Sequence, residues 1–357
     1  MVGQPDVTKP NTTTNIDFQG PLAAASGEIL LGGTGTVTQA AAGIITADKL
    51  GVAAGGNISL DQSNSVNELA AGSTGGTIYI TNSGMSLKTI SLTEGSFTGT
   101  GLTTSNKNIT LESLNGINIY APITAGTGNV SLLASMGSVT SSNGAALDVS
   151  ASGLSITSYY GVGEMASALN TQVSSLSASG GMYGGLYIAN GIPLTITGAS
   201  AYGDIVINNT GAVTTSTLGP VSSSAGSVSI TAHSPLTIET SGVSAATGVS
   251  LTAGSAGSSS SSDLLTINGP VSTTSGTIVL AGNAVTGSSV PSGPNVTTYT
   301  YTPPPEPEPT PTPKPTTTPE PPPTPQPTPK RKPQPPPKPP ATPDPQQTTR
   351  ATATEKV

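Results

Sequence analysis

The sequence predicts an all-β fold: a parallel β-helix, or β-solenoid, with coils of about 20 residues, followed by a disordered proline-rich tail. Two observations predict the solenoid. A 16-residue unit occurs three times, and short strands of the pattern apolar-x-apolar recur at steps of mostly 19 to 24 residues between Ile29 and Leu280. A third observation, the concentration of proline after residue 302, predicts the tail.

The composition argues against a thick globular core. Of the 357 residues, 8% are charged and 3% are aromatic, whereas about a quarter of an ordinary domain is charged. Ile, Leu and Val supply most of the long apolar side chains, and Gly, Ser, Thr and Ala lie between them. β-branched residues in stacked rungs suit a thin core between sheets.

Residues 1–24 are rich in Pro, Thr and Asn, and we expect an extended lead-in there. Met1–Gly20 has no basic segment followed by an apolar one, so no export signal is expected in this chain. No apolar run approaches ~18 residues, so no transmembrane segment is expected either.

The repeated unit reads INIYAPITAGTGNVSL at Ile117–Leu132, TSTLGPVSSSAGSVSI at Thr215–Ile230 and LTINGPVSTTSGTIVL at Leu265–Leu280. In each copy a proline lies eight residues before a strand, and a glycine lies shortly before that strand. We expect the proline at a corner where no ladder donor is needed, and the glycine at a tight or left-handed corner. Alternate strand residues then face inward, such as Ile278 and Leu280.

Residues 25–290 are predicted to form about eleven or twelve stacked coils, whose strands pair in parallel with those of the next coil. The long step from Ile78 to Ile109 is expected to hold an intermediate strand at Ile90 and Leu92 rather than an insertion.

An insertion is predicted at residues 159–185, where the step between strands is about ten residues longer than usual. Met165, Leu169, Val173 and Leu176 follow helical spacing there, which predicts a short amphipathic helix or lid on the solenoid wall. Such a decoration could pack its own aromatics or could bind a partner. The candidate binding surface comprises Tyr159, Tyr160, Met165, Tyr183 and Tyr187.

Residues 291–357 are predicted to form the tail, because 23 of the 43 residues from Pro303 to Pro345 are proline. Such a composition favours polyproline II and disorder. The tail could serve as a passive spacer, or its PxxP matches could dock in an aromatic-lined groove of a partner.

The residues of the chain offer little for catalysis or cofactor binding. Cysteine is absent and His233 is the single histidine, so no thiolate or multi-histidine metal site is expected, and no cofactor. Asn108–Thr302 contains no Lys or Arg, which excludes nucleic acid as an expected partner. Asp204 and Glu239 could meet on adjacent coils as an acid–base pair, but solvated positions explain them better, so no enzyme activity is expected.

Three segments carry a resemblance to a known family: GIITADKLGVAAGGNISLD at Gly43–Asp61, NSVNELAAGSTGGTIYI at Asn64–Ile80 and APITAGTGNVSLLAS at Ala121–Ser135. They resemble the haemagglutination-type repeats of filamentous haemagglutinin-like exoproteins, large adhesins exported by two-partner secretion. The resemblance covers about residues 25–290. It implies a right-handed β-helix that serves as a surface stalk and contacts a host-cell or surface receptor, such as a glycan.

The leading hypothesis is therefore a non-enzymatic shaft of a bacterial surface or secreted adhesin, exported as part of a longer protein. Two alternatives remain open. The chain could be a spacer across the periplasm or cell wall that docks a partner through its proline-rich tail, or it could be a carbohydrate-active β-helix that uses Asp204 or Glu239.

Overall fold

The computed structural model describes residues 15–95, 97–233, 235–254 and 260–300. Within these ranges the chain forms 31 β-strands and no helix. The strands are β1 (Ile16–Phe18), β2 (Leu22–Gly33), β3 (Val37–Gln39), β4 (Ile45–Ala54), β5 (Ile58–Ser73), β6 (Ile78–Asn82), β7 (Leu87–Thr89), β8 (Ser91–Glu94), β9 (Phe97–Thr100), β10 (Leu102–Thr104), β11 (Ile109–Ser113), β12 (Ile117–Ile119), β13 (Ile123–Thr124), β14 (Asn129–Ala134), β15 (Val139–Ser141), β16 (Val149–Ser158), β17 (Leu169–Ser179), β18 (Leu186–Asn190), β19 (Leu194–Ala201), β20 (Ile205–Asn209), β21 (Val213–Thr215), β22 (Val221–Ser223), β23 (Ser227–Ala232), β24 (Leu236–Ile238), β25 (Val243–Ala245), β26 (Gly248–Ala253), β27 (Leu264–Ile267), β28 (Val271–Thr273), β29 (Thr277–Gly282), β30 (Ala284–Thr286) and β31 (Val296–Thr300).

The strands stack as about 13 coils of a parallel β-solenoid, which confirms the predicted fold class. Most coils contribute three strands. In the later coils β20, β23, β26, β29 and β31 pair in series, as do β21, β24, β27 and β30, and β22, β25 and β28. In the earlier coils β6, β11 and β14 form one side, β7, β12 and β15 the next, and β10, β13 and β16 the third.

The core lies inside the coils and consists of one apolar rung above another. Ile207 pairs with Ile230, and Ile230 pairs in turn with Leu251. All three side chains are fully buried. Ile278 and Leu280 are buried and Val279, between them, is partly exposed, so the predicted alternation is confirmed.

The prolines and glycines of the repeated unit lie at the corners. Pro220 immediately precedes β22, and its carbonyl accepts a 3.1 Å hydrogen bond from the Ala199 amide. The ladder therefore lacks only the backbone amide donor that a proline cannot supply. A Cβ at Gly226 or Gly276 would collide with the backbone of the preceding coil. Glycine is therefore needed at these two corners because the coils stack closely there. The backbone of Gly226 and of Gly276 is not left-handed.

The helix predicted around Met165 is wrong, and residues 159–185 do not interrupt the stacking. Leu169, Val173 and Leu176 belong to β17, which pairs in parallel with β16, and all three are fully buried in the core. Thr171, which lies between Leu169 and Val173, also faces inward. Because Thr171 is polar, the alternation of inward and outward residues in this strand cannot be recognised from the apolar residues alone. Between Val173 and Leu176 the alternation of buried and exposed residues shifts by one position, so the spacing of the buried apolar residues imitates that of a helix.

Between Ile78 and Ile109 the structure has the expected strand at Leu92, in β8, but the expectation of no insertion is wrong. These residues pair across a step of 31 residues, and the extra length forms the antiparallel hairpin β8–β9 outside the main sheet. A Cβ on Gly51 of β4 would lie 2.9 Å from the Phe97 ring, so a small residue at Gly51 leaves room for the hairpin to pack on the outer wall.

The paired strands extend beyond the predicted range of 25–290. β1 and the first three residues of β2 lie within the segment predicted as a lead-in, residues 1–24, and they already pair with β3 and β4. At the other end β31 pairs with β29, within the segment assigned to the tail. The rest of the predicted tail, residues 301–357, and residues 1–14 of the lead-in lie outside the described residues.

Candidate functional site

One corner of the solenoid exposes large apolar side chains in six consecutive coils. It is the turn that precedes β7, β12, β15, Val162, β18 and β20 in successive coils. Backbone hydrogen bonds stack these turns, for example from the Met136 amide to the Leu114 carbonyl at 2.7 Å and from the Tyr202 amide to the Gly181 carbonyl at 3.2 Å. We call this surface the apolar corner, and it consists of Met85, Leu114, Met136, Tyr160, Met182, Tyr183 and Tyr202.

The side chains of the apolar corner are well exposed, with exposed fractions between 41% and 73%. Within the described ranges they make up seven of the fourteen large apolar residues that are exposed. Exposed apolar residues scattered singly are ordinary, whereas a contiguous group on one surface indicates an interaction site.

Three tyrosines meet at the centre of this surface and form a tyrosine cluster, Tyr159, Tyr160 and Tyr183. The Tyr159 and Tyr160 rings are 4.9 Å apart, centroid to centroid, in an edge-to-face arrangement. Tyr183, one coil later, lies 5.5 Å from Tyr159 and 5.7 Å from Tyr160. Such ring pairs add about 0.5–1.5 kcal/mol each beyond the area that they bury. The neighbouring phenol of Tyr183, more than burial, raises the pKa of Tyr159.

Glycines allow the two coils of the tyrosine cluster to approach each other. Gly181 has a left-handed backbone with φ of 68°. A Cβ on Gly184 would collide with the carbonyl oxygen of Tyr160. The rings are therefore held by a rigid and closely packed backbone, and their arrangement is largely fixed before any partner arrives.

A groove of about 630 Å³ lies beside the tyrosine cluster. Met182, Tyr183 and Tyr202 form its apolar side, and Ser179, Ser200, Ser222 and Ser224 lie along the other side. Three of these serines belong to an outward-facing column of hydroxyl groups, one per coil, formed by Thr157, Ser179, Ser200, Ser222, Ser244 and Ser272.

The structure brings together three of the five predicted site residues. Tyr187 lies in β18, where it is partly buried, and burial followed by the nearby Asp204 carboxylate raises its pKa. Met165 is 77% exposed, but it lies in the turn after Val162, whereas the tyrosine cluster lies in the turn before it.

Sequence reasoning missed most of the apolar corner, although a signal was present. Met136, Tyr160, Tyr183 and Tyr202 are each followed directly by glycine, at steps of 24, 23 and 19 residues. This spacing equals the length of one coil. It therefore indicates that a large apolar residue followed by a glycine occupies the same corner in each of these coils.

Asp204 and Glu239 do not lie at the same corner of the solenoid. Asp204 lies at the apolar corner and accepts hydrogen bonds of 2.7 and 2.8 Å from the amide and hydroxyl of Ser227. Glu239 follows β24 and therefore lies at a different corner. In the part of the chain that the structure describes, no three acidic or histidine side chains are grouped closely enough to hold a metal ion.

His233 is exposed in a turn, as expected, and lines a second groove of about 320 Å³ together with the carboxamides of Asn170, Gln172 and Asn208. Asn170 also fixes Asp148 nearby, since its backbone amide donates a 2.8 Å hydrogen bond to the Asp148 carboxylate. Asp148 is fully buried, and this burial raises its pKa.

The lysines near the first coils belong to a column of alternating charge. Glu28, Lys49, Glu68 and Lys88 occupy the same position in successive coils. Glu68 forms ion pairs of 3.9 Å with Lys49 and 3.5 Å with Lys88. Lys49 and Lys88 therefore form ion pairs between adjacent coils.

Comparisons of the chain with protein-family models, with curated proteins and with solved structures gave no match. The described ranges contain no helix with the length and apolar character needed to cross a membrane.

Proposed function

We propose that this chain is the non-enzymatic structural shaft of a bacterial surface or secreted adhesin of the filamentous haemagglutinin type. Its function is cell adhesion or contact with a host or other surface. The observation that carries the proposal is the apolar corner, an exposed stripe of large apolar side chains on a stacked β-scaffold. Location at the cell surface or outside the cell, as part of a longer exported protein, belongs to the same proposal.

The parallel ladders support the role of a shaft. Each coil pairs with the coils before and after it, so the structure grows by repetition without a new core at each step. A side chain at a corner is then held at a fixed distance from the equivalent side chain of the next coil. Binding groups on such rigid elements are placed more accurately than groups on loops.

The apolar corner supports the role in contact. Aromatic residues and methionine are enriched in the centres of protein interfaces, because they bury much apolar surface. The tyrosine cluster places three aromatic rings within 5.7 Å of one another at the centre of the stripe. A partner that covers this cluster removes a large apolar area from water.

Attachment of the purified chain to coated surfaces and to cultured cells, some of which display this chain, tests the proposal. The variant Tyr160→Ser/Tyr183→Ser is expected to attach several-fold less than the wild type, because it removes two rings of the tyrosine cluster. Leu218→Ser is the matched control, since Leu218 is 84% exposed but lies away from the apolar corner. If the wild type attaches no better than an unrelated soluble protein, the proposed function is wrong.

A further inference from the structure

We infer that the partner of the apolar corner is a second copy of this chain, with the two solenoids side by side and antiparallel. The inference rests on the proposed function, because it names the partner of the same surface. Adhesion would then be homotypic, with a shaft on one cell binding a shaft on another.

The axial repeat of the corner is the first argument. Its side chains lie in six consecutive coils, at steps of ~4.8 Å, which gives a stripe ~24 Å long. A second solenoid has the same repeat, so its side chains can fit between those of the first along the whole stripe. A compact partner without that repeat would match only part of it.

The area of the corner is the second argument. Its seven residues have exposed fractions of 41% to 73%. They present about 800 Å² in total if a large side chain offers roughly 200 Å². A specific interface of standard size takes about 800 Å² from each partner. The stripe is therefore large enough for a stable pair, and it ends where Ala225 and Thr247 take the corner position in later coils.

Charge is the third argument. None of the seven side chains is ionisable except as a tyrosine phenol, so two copies place no like charges against each other. The acids beside the stripe already have partners within the chain. Asp204 accepts hydrogen bonds from Ser227, and Glu112 accepts one of 3.1 Å from the Tyr79 hydroxyl. A strongly acidic partner would find no lysine or arginine between Asn108 and Thr302.

The order of residues favours the antiparallel arrangement. The first half of the stripe contains Met85, Leu114 and Met136, and the second half contains all of its tyrosines. A two-fold axis at its centre sets Met85 against Tyr202 and Met136 against Tyr160. Methionine sulfur packs favourably against aromatic rings, and a two-fold interface closes as a dimer without forming a filament. A parallel pair would instead set each residue against its own copy.

The oligomeric state of the full chain tests the inference. Sedimentation velocity of the wild type should show a dimer with twice the chain mass of 34.9 kDa. Tyr160→Ser/Tyr183→Ser should weaken the dimer by at least about tenfold in dissociation constant. Leu218→Ser should leave it unchanged, and circular dichroism of each variant checks that it is folded. A wild type that stays monomeric at its highest soluble concentration overturns the inference.

The absence of cysteine allows a direct test of the arrangement. Chains carrying Met136→Cys, mixed with chains carrying Tyr160→Cys, should form a mixed disulfide dimer on mild oxidation. Met85→Cys alone should not form one, because its two copies lie at opposite ends of the interface. Efficient crosslinking of Met85→Cys to itself would overturn the antiparallel pairing.

The two proposals fail separately. A monomeric wild type that still attaches to cells, or that binds a soluble glycan at the apolar corner, overturns the inference and leaves the adhesin function standing. A dimer that attaches to no cell or surface, including cells that display this chain, overturns the adhesin function and leaves the pairing of the two copies standing.

Discussion

Asn190 donates a 2.8 Å side-chain hydrogen bond to the side-chain oxygen of Asn209, which occupies the same position one coil later. Both residues are buried at a corner. The side-chain oxygen of Asn190 accepts a 2.9 Å hydrogen bond from the Val173 amide, and Asn209 donates one of 2.7 Å to the Gly211 carbonyl. Buried backbone groups left unpaired where a strand ends are costly, and the asparagines satisfy them.

Replacing Asn190 tests this role. Asn190→Ala leaves the buried Val173 amide without its acceptor, so we expect the free energy of unfolding to fall by about 1–3 kcal/mol. Asn208→Ala, at an exposed neighbouring position, should change the free energy by no more than about 0.5 kcal/mol. Urea denaturation of both variants measures the difference, and equal stabilities would contradict the role given to Asn190.

Gly184→Ala should destabilise the fold because its Cβ would collide with the carbonyl oxygen of Tyr160. The preceding coil must then move, and we expect a loss of about 1–3 kcal/mol in the free energy of unfolding. The near-ultraviolet circular dichroism of the tyrosines should also change, since these two coils hold the tyrosine cluster. Gly72→Ala is the matched control, because a Cβ there meets nothing within 4 Å. A Gly184→Ala protein with wild-type stability and spectrum would show that the coils are less closely packed.

Leu280→Ala should cost about 2–5 kcal/mol, because the side chain is fully buried in the core and leaves a cavity. Val279→Ala, one residue earlier on the outward face, should cost much less. Thermal unfolding of both variants measures the contrast. Similar losses at the two positions would contradict the assignment of inward and outward faces in β29.

Asp148 predicts a pH dependence of stability. Burial raises its pKa above the ordinary value of 3.8. Between 3.8 and the raised pKa, the folded state retains a proton that the unfolded state has released. The stability linked to this group is therefore fully present below pH 3.8 and is lost as the pH rises through the raised pKa.

Comparison of the wild type with Asp148→Asn isolates this contribution from that of the other acids. The free energy of unfolding of the wild type should fall relative to that of the variant as the pH rises through this window. Chemical denaturation at a series of pH values measures the difference. Parallel pH profiles for the two proteins would mean that Asp148 has the same pKa in the folded and unfolded states.

Much of the fold could be predicted from the sequence because the apolar residues that build its rungs are also those that define the pattern. Ile278 and Leu280 are recognised as an inward pair from their spacing alone. The apolar pattern does not reveal a strand in which a polar residue faces inward. Thr171 is buried among apolar neighbours in β17, and without it the remaining positions imitate a helix. The strand at Leu92 was predicted, but its pairing with β9 in a hairpin was missed, because Phe97 packs on the outside of the wall and the spacing of inward residues does not include it.

The candidate site was predicted only in part, since it depends on what lies one coil away. Tyr159, Tyr160 and Tyr183 were identified as aromatic residues flanking an irregular segment, and their mutual contact follows from stacking. Tyr202 is two coils beyond Tyr160, and its membership of the surface becomes clear only when the coil boundaries are known. Buried polar residues such as Asn190 give no signal in a pattern based on hydrophobicity.

The direction of the ladder hydrogen bonds has a mechanical consequence. They join each coil to the next, as the series β20, β23, β26 and β29 illustrates, and so run along the stacking axis. A force that pulls the two ends of the stack apart loads the bonds of the terminal coil first, and they open one after another. Each coil of about 20 residues then releases roughly 70 Å of extended chain. Under tension the solenoid would lengthen in a series of small steps and dissipate energy at each one, while the coils not yet opened keep their structure.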